Sequence, residues 1–414
     1  MAEVKPFRAL RYEHTRMGGD LSTVIAPPYD VLDKSDKETL LAQSDRNMVA
    51  IDLPHIPPKA LGPPAAYQRS AETLAAWLED GTLVREQEPA LYVYHQEFEH
   101  AGRGYTGRKF IARVRLVPFS EGVVLPHEQT FGGPKEDRLA LTKATKCNLS
   151  PVFGLYTDPQ DAIGRAFAEA TGGRDPDLTA TMDGVENRLW IVTDSTTIDR
   201  VGRLMAPKRI FIADGHHRYG TALDYRDYLT RQEGEELAPD HPANFVMLVL
   251  GSMNDPGSLI LPYNRVLTGP DVSIENLTGA WVEGCAPADL ASADLVLCDG
   301  TDGTEYSFRF TDRGQLNRLE PARSRAWRSL DVAYLHRYLI DSLARGLEMT
   351  VRYVKSADQA RVLARRERGV ALLMNATKME QLRAVSQEGE LMPQKSTYFY
   401  PKLATGLTIN PLSS

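Results

Sequence analysis

Cysteine is scarce. Cys147, Cys285 and Cys298 are the only three among 414 residues, and no two of them form a C-x-x-C pair. That spacing supplies neither a disulfide framework nor a zinc-ligand set. Reduced thiols and a cytoplasmic address are the expectation. Basic charge is also in deficit: 48 Lys and Arg against 55 Asp and Glu give a formal net charge of −7. A general basic footprint for nucleic acid is therefore missing, and nucleic acid is an unexpected partner. No run approaches the roughly 20 apolar residues of a membrane span. The opening residues, MAEVKPFRALRY, lack the apolar stretch of a signal peptide. There is no P-loop ending in Gly-Lys-Ser/Thr, no Gly-x-Gly-x-x-Gly opening a helix and no Gly-x-Ser-x-Gly elbow. Internal repeats and low-complexity segments are absent as well.

What is present reads as a globular chain. Hydrophobic residues make up 42% and charged residues 25%, values typical of soluble domains. The length allows two or three domains. Strand-like and helix-like segments alternate, which argues for α/β, with a mixed α+β arrangement also open. Residues 65–80 have an amphipathic helical pattern. Residues 91–98 and 108–117 read as a hairpin around a glycine-rich turn at 101–107. Four segments are expected: 1–157, 158–268, a small β-rich subdomain or lid at 269–329, and 330–414.

The stretch 208–227, KRIFIADGHHRYGTALDYRD, organises the rest. An apolar run at 210–213 leads into Asp214, Gly215, His216, His217 and Arg218. Helical spacing follows at Tyr219, Ala222, Leu223 and Tyr225. The prediction is strand, tight turn, helix, with Asp214 as N-cap and Gly215 taking the conformation other residues avoid. A helix start of this kind attracts anions. Arg218 and the two imidazoles add donors suited to phosphate. The adjacent histidines lack zinc spacing. The alternative is a polar turn with a cap and no ligand.

Residues 123–146 carry a second concentration of charge: His127, Glu128, Lys135, Glu136, Asp137, Arg138, Lys143 and Lys146. From 135 onward the spacing is helical, so Arg138, Lys143 and Lys146 can line a groove as polyphosphate requires. A solvated helix with internal ion pairs is the other reading. His127-Glu128 is no zincin motif, since the second histidine would fall at Phe131. Glu128 suits a carboxylate base, or an acceptor for a water bound to Mg²⁺. Asp137 and Asp214 are the candidate Mg²⁺ carboxylates. Two prolines hold Tyr29 and Asp30 in place, either for a site or for a domain seam. Near the C-terminus, Lys395, Ser396 and Thr397 can close over a phosphate, or form a strand that pins the domains together.

Two resemblances bear on these stretches. ADGHHRYGTAL resembles the phosphate-binding turn of the ParB/sulfiredoxin superfamily, which includes CTP-binding partition proteins, ATP-using sulfiredoxins and free-serine kinases with a similar Asp-Gly-His-His-Arg turn. It implies a ParB/sulfiredoxin-like strand-turn-helix core within additional α/β segments. PFRALRY, VIAPPYDV, HEQTFGGPKEDRLALTKATKCNLSPVFGLY, DPGSLILPYNRVL and MPQKSTYFYPKLATGL, together with the turn, resemble the bacterial family called domain of unknown function 1015. The first resemblance implies a phosphoryl-transfer enzyme acting on a small metabolite, serine or O-phosphoserine being plausible, in either the kinase or the phosphatase direction. ATP or ADP with Mg²⁺ is the implied cofactor, and a small phosphorylated metabolite or nucleotide the implied partner. On that reading Glu128 is the base and Lys135 and Arg138 stabilise charge. His127 belongs with them, His216, His217 and Arg218 hold phosphate, and Lys143, Lys395, Ser396 and Thr397 assist. The alternatives are a nucleotide-binding regulator or DNA-partition protein without turnover, and a scaffold with a vestigial anion site.

Overall fold

In a computed structural model that describes all residues except Lys59, Thr130, Phe131 and Ser414, the chain forms two units. One is Met1–Ser258 with Pro401–Ser414; the other is Leu259–Tyr400. The first is built on a nine-stranded sheet. Its strands are β1 (Val4–Lys5), β2 (Leu91–His100), β3 (Arg103–Arg115), β4 (Val124–Leu125), β5 (Val152–Tyr156), β6 (Leu178–Met182), β7 (Val185–Val192), β8 (Ile210–Asp214) and β9 (Phe245–Ser252). Their order is β4-β8-β5-β9-β3-β2-β7-β6, with β1 alongside β3. The pairs β4/β8 and β5/β9 are parallel and the others antiparallel. Among the described residues the α-helices of this unit are α1 (Lys34–Gln43), α2 (Val49–Asp52), α3 (Pro64–Glu79), α4 (Gly132–Thr145), α5 (Ala162–Thr171), α6 (Ser195–Met205) and α7 (His216–Glu233). The fold is α/β with a mixed sheet.

The apolar alternation of the strands decides which face the helices cover. Val114, Val152, Ile210, Ile212, Val246, Leu248 and Leu250 pack against Ile163 and Phe167 of α5, Val201 and Met205 of α6, and Tyr219 and Ala222 of α7. Each such side chain contributes about 1.5–3 kcal/mol when fully buried. The opposite face is polar where the C-terminal segment crosses it. There the Tyr94 hydroxyl donates to Asn187 Oδ1 (2.6 Å), and Gln96 Nε2 donates to the Lys402 carbonyl (3.0 Å). The same segment exchanges backbone hydrogen bonds with Ala26 through Thr405 and pairs with Cys147–Asn148 through Asn410–Pro411.

The β2–β3 turn is tighter than the glycines at 102, 104 and 107 suggest. Ala101 (φ 51°) and Gly102 (φ 74°) alone form it. Two successive positive φ values give a hairpin turn whose twist matches the strands. Residues 103–107 therefore continue the ladder, from His100↔Arg103 to Gln96↔Gly107.

The second unit contains an antiparallel six-stranded sheet: β10 (Asn264–Thr268), β11 (Cys285–Pro287), β12 (Leu295–Asp299), β13 (Glu305–Phe310), β14 (Thr350–Val354) and β15 (Val370–Met374), in the order β11-β13-β12-β15-β10-β14. Helix α8 (Ala357–Glu367) sets Ala360 and Ala364 against Val266, Cys298 and Ala371. Strands from 269–329 and from 330–414 thus share one sheet, and position 157 falls inside the first unit. The polar composition after residue 270 marks exposed strands and turns, not a boundary.

Candidate functional site

Strand β8 delivers Asp214 to a corner, and α7 begins two residues later. Gly215 is the cap residue, with φ +88° and no side-chain cap on the helix. Asp214, expected as the cap, does something else. Its Oδ1 accepts the Gly215 N–H at 2.7 Å, and its Oδ2 accepts Lys402 Nζ at 2.7 Å. The strand end turns the carboxylate back onto the corner instead of forward onto the helix. The first helical bond runs from Tyr219 N–H to Gly215 O, so the N–H groups ahead of Tyr219 have no acceptor within the helix.

Arg218 folds beneath this corner. Its guanidinium donates to the Pro151 carbonyl and lies 3.4 Å from Asp214 Oδ1. A Cβ at position 215 would stand 2.9 Å from Arg218 Nε. Glycine is therefore required for its backbone angle and for the space the guanidinium occupies. Burial alone would raise the Asp214 carboxyl; Lys402 and Arg218 instead hold it well below the usual range.

Two of the three candidate histidines, His127 and His216, meet. His127 Nδ1 donates to the Ile212 carbonyl (2.7 Å), and the His127 backbone N–H donates to His216 Nε2 (3.2 Å). Their rings pack edge to face at 4.6 Å. Burial pushes His127 down to about 4. Burial, and then His127, push His216 well below its ordinary value. Both imidazoles are neutral at neutral pH, with the hydrogen on Nδ1 in each, as their partners require. His216 is committed to the interior, whereas His217 is half-buried. Glu128 is also half-buried, directly after the residue whose backbone is tied to His216. Thr130 and Phe131 of the same stretch lie outside the described residues.

Helix α4 packs along α7. Lys135 Nζ pairs with Asp224 Oδ2 at 2.8 Å, and Lys143 Nζ sits 3.8 Å from the Tyr228 ring centre. Arg138 faces inward. It donates to Asp137 Oδ2 (2.8 Å) and to the Asp52 carbonyl (2.6 Å), and stacks 3.9 Å from the Tyr29 ring centre. Arg138 and Arg218 line one cavity of about 40 Å³ together with Asp52, Asn148, Ser150 and Thr221. Among the described residues, Arg218 Nε, Thr221 Oγ1 and Asp52 Oδ2 lack a hydrogen-bond partner. The two charge-rich stretches therefore meet in space.

Lys395, Ser396 and Thr397 belong to the second unit. There the Lys395 carbonyl accepts Arg265 Nη2 (3.0 Å), Ser396 Oγ donates to Pro393 O (2.5 Å), and Thr377 Oγ1 donates to Ser396 O (2.8 Å). The two possible Mg²⁺ carboxylates do not fit a metal as they stand. Asp137 is wholly buried and already engages His55 (2.5 Å), Tyr67 (2.7 Å) and Arg138. Asp214 is saturated by Gly215, Lys402 and Arg218. Among the described residues, no group of three His, Cys, Asp or Glu is arranged to hold a metal. Nor is any helix among them long and apolar enough to cross a membrane. All three cysteines are unpaired and buried. Two participants escaped the sequence reading. Asp52 sits in an apolar stretch without a motif, while Lys402 lies within a quoted C-terminal phrase but gives no sign of its partner.

The chain belongs to the family described as protein of unknown function (DUF1015), whose model matches residues 4–333. No curated protein matches it. Among solved structures it is similar to a conserved hypothetical protein from Pyrococcus furiosus, at 12% identity over 72% of this chain and 94% of that one, with a TM-score of 0.34. It is also similar to free serine kinase in complex with AMP, at 11% identity over 72% and 92%, TM-score 0.33. A third is SbnI with a C-terminal truncation from Staphylococcus aureus, at 14% identity over 73% and 87%, TM-score 0.37.

Proposed function

We propose that this DUF1015 member transfers a phosphoryl group to or from a small metabolite, holding phosphate at the start of α7. The observation that carries the reading is a helix start on a positive-φ glycine with no side-chain cap, above a buried guanidinium whose Nε has no partner among the described residues. The N–H groups of a helix start and the helix dipole favour an oxyanion there. Phosphoryl transfer needs alignment and charge stabilisation more than covalent chemistry, and the corner supplies both. His217 contacts the phosphate, Arg218 and Arg138 set the field from below, and Glu128 is the proton acceptor. Serine and O-phosphoserine are the first substrates to test, because the Asp-Gly-His-His-Arg turn resembles that of free-serine kinases. The residues that would hold Mg²⁺ are not supplied by Asp137 or Asp214, so no step is assigned to the metal.

The test is direct. The full chain is incubated with serine plus ATP or ADP, and separately with O-phosphoserine, each with Mg²⁺. Phosphoserine and free phosphate are followed by phosphorus NMR. Turnover is expected in one direction, and Glu128→Gln should lower it by about 10²–10⁴-fold, the usual contribution of a general base. An inert wild type in every arm excludes serine chemistry; full activity in Glu128→Gln removes that residue from its role.

A further inference from the structure

Lys402 belongs to none of the charge-rich stretches, yet it makes the shortest ionic contact at the corner. Its Nζ lies 2.7 Å from Asp214 Oδ2, across 188 residues of sequence. The contact is largely enclosed, with side-chain exposures of 17% for Lys402 and 23% for Asp214. Its backbone is fixed as well, since the Lys402 carbonyl accepts Gln96 Nε2 and the next N–H but one, that of Ala404, donates to the Tyr94 hydroxyl (3.3 Å). Downstream, the segment holds Ala26, beside the Pro-Pro-Tyr-Asp loop, and Asn148, beside the cavity. The lysine is thus delivered to Asp214 by a strap anchored on several elements.

We infer that Lys402 is a positioning residue for the phosphate corner, acting through Asp214 on the Gly215 turn; this rests on the phosphate reading of α7. Asp214 Oδ1 accepts the Gly215 N–H (2.7 Å). Its second oxygen is buried with it and needs a cation to offset the lost hydration. Lys402 does that, and so keeps the turn in the orientation that presents the following N–H groups. Arg218 alone is a poorer partner, at 3.4 Å and shared with Pro151. The groups facing Asp214 are Lys402 from the strap, His216 and Arg218 from α7, and His127 from the loop before α4. Both histidines are neutral, so removal of Lys402 leaves one cation.

The sign of the pH effect follows. With Lys402 present, Asp214 is ionised across pH 5–8 and adds no slope there. Without Lys402, burial is opposed chiefly by Arg218, and the carboxyl moves upward. A group raised in the folded state contributes stability at low pH that is lost as pH rises through its folded value. The deficit of Lys402→Met in melting midpoint should therefore be largest at pH 8 and narrow toward pH 5.

The experiment measures melting midpoint from pH 5 to 8, and inorganic phosphate affinity by calorimetry at pH 8. It uses the full chain, Lys402→Met, Lys402→Arg, Asp214→Asn and the double variant Asp214→Asn/Lys402→Met. The expected result is a pH-dependent deficit for Lys402→Met, recovery in Lys402→Arg, and a flat deficit when Lys402→Met is made in the Asp214→Asn background. Phosphate affinity should fall roughly tenfold in Lys402→Met, as for a lost charge-assisted contact. A deficit that is pH-independent, or the same slope in both backgrounds, overturns the inference. If Lys402→Met does not fold, Lys402→Gln replaces it in the same series. A wild type that binds no phosphate refutes the phosphate reading, and the midpoint series still decides the role of Lys402. A wild type that binds phosphate, with Lys402→Met binding equally well, refutes Lys402 and leaves the phosphate reading standing.

Discussion

Arg218 in the first unit and Arg265 in the second are both buried enough to invite a functional reading, and the two are solved differently. In the first unit Arg218 shares its charge with Asp214, itself held by Lys402, and lies beneath an uncapped helix start. In the second unit Arg265 is 1% exposed and meets no carboxylate within salt-bridge distance among the described residues. It donates to His336 Nε2 (3.1 Å) and to the carbonyls of Tyr263 and Lys395. Burial lowers it to about 10, so it remains charged, and burial with Arg265 beside it pushes His336 down to about 3. Arg265 is a clamp that ties backbone segments together. Arg218 is a clamp as well, but it is coupled to a helix start without a side-chain cap. A buried arginine is therefore a weak signal by itself; the backbone next to it distinguishes a ligand corner from a structural knot.

The comparison can be broken most forcefully at Asp137. Asp137→Ala leaves Arg138 buried with Asp52 as its remaining acid and strips His55 and Tyr67 of their acceptor. Breaking a buried pair from one side costs about 3–5 kcal/mol. Chemical unfolding should show that loss, and a change below about 1 kcal/mol would contradict the described network. Gly215→Ala ranks next. It forces a side chain into the left-handed region and against Arg218 Nε, at about 1–3 kcal/mol. It should also abolish phosphate binding, which calorimetry reads. Arg265→Met is the mildest. Removing the clamp costs about 0.5–1.5 kcal/mol per lost hydrogen bond, partly offset because an unneutralised buried charge is also removed. Its phosphate affinity should match the wild type; a loss would move the anion site to the second unit.

Much of this corner was legible in the sequence, because local chemistry determines it. Four apolar residues, a glycine and a helical repeat predict the path of residues 210–225 without reference to the rest of the chain. The α4 helix was visible through its 135–146 spacing, although its glycine-proline opening reads as a turn and is in fact the first helical turn. Long-range pairing hid the remainder. Asp214 is an ordinary cap by local rules, and the partner of its second oxygen, Lys402, arrives from the far end of the chain. Asp52 has no motif, and its role depends on α4 and α7 converging on it. The two-unit division was hidden for the same reason: strands at 264–268, 295–299 and 370–374 are neighbours in one sheet but lie in segments of unlike composition.

The most direct measurement is a phosphate titration followed by backbone amide NMR on the full chain. The account predicts saturable shifts centred on the amides of His216, His217 and Arg218, and their disappearance in Gly215→Ala. Saturable shifts centred instead on the Lys395–Thr397 segment or around Arg265, or no saturable shift at all, would contradict it.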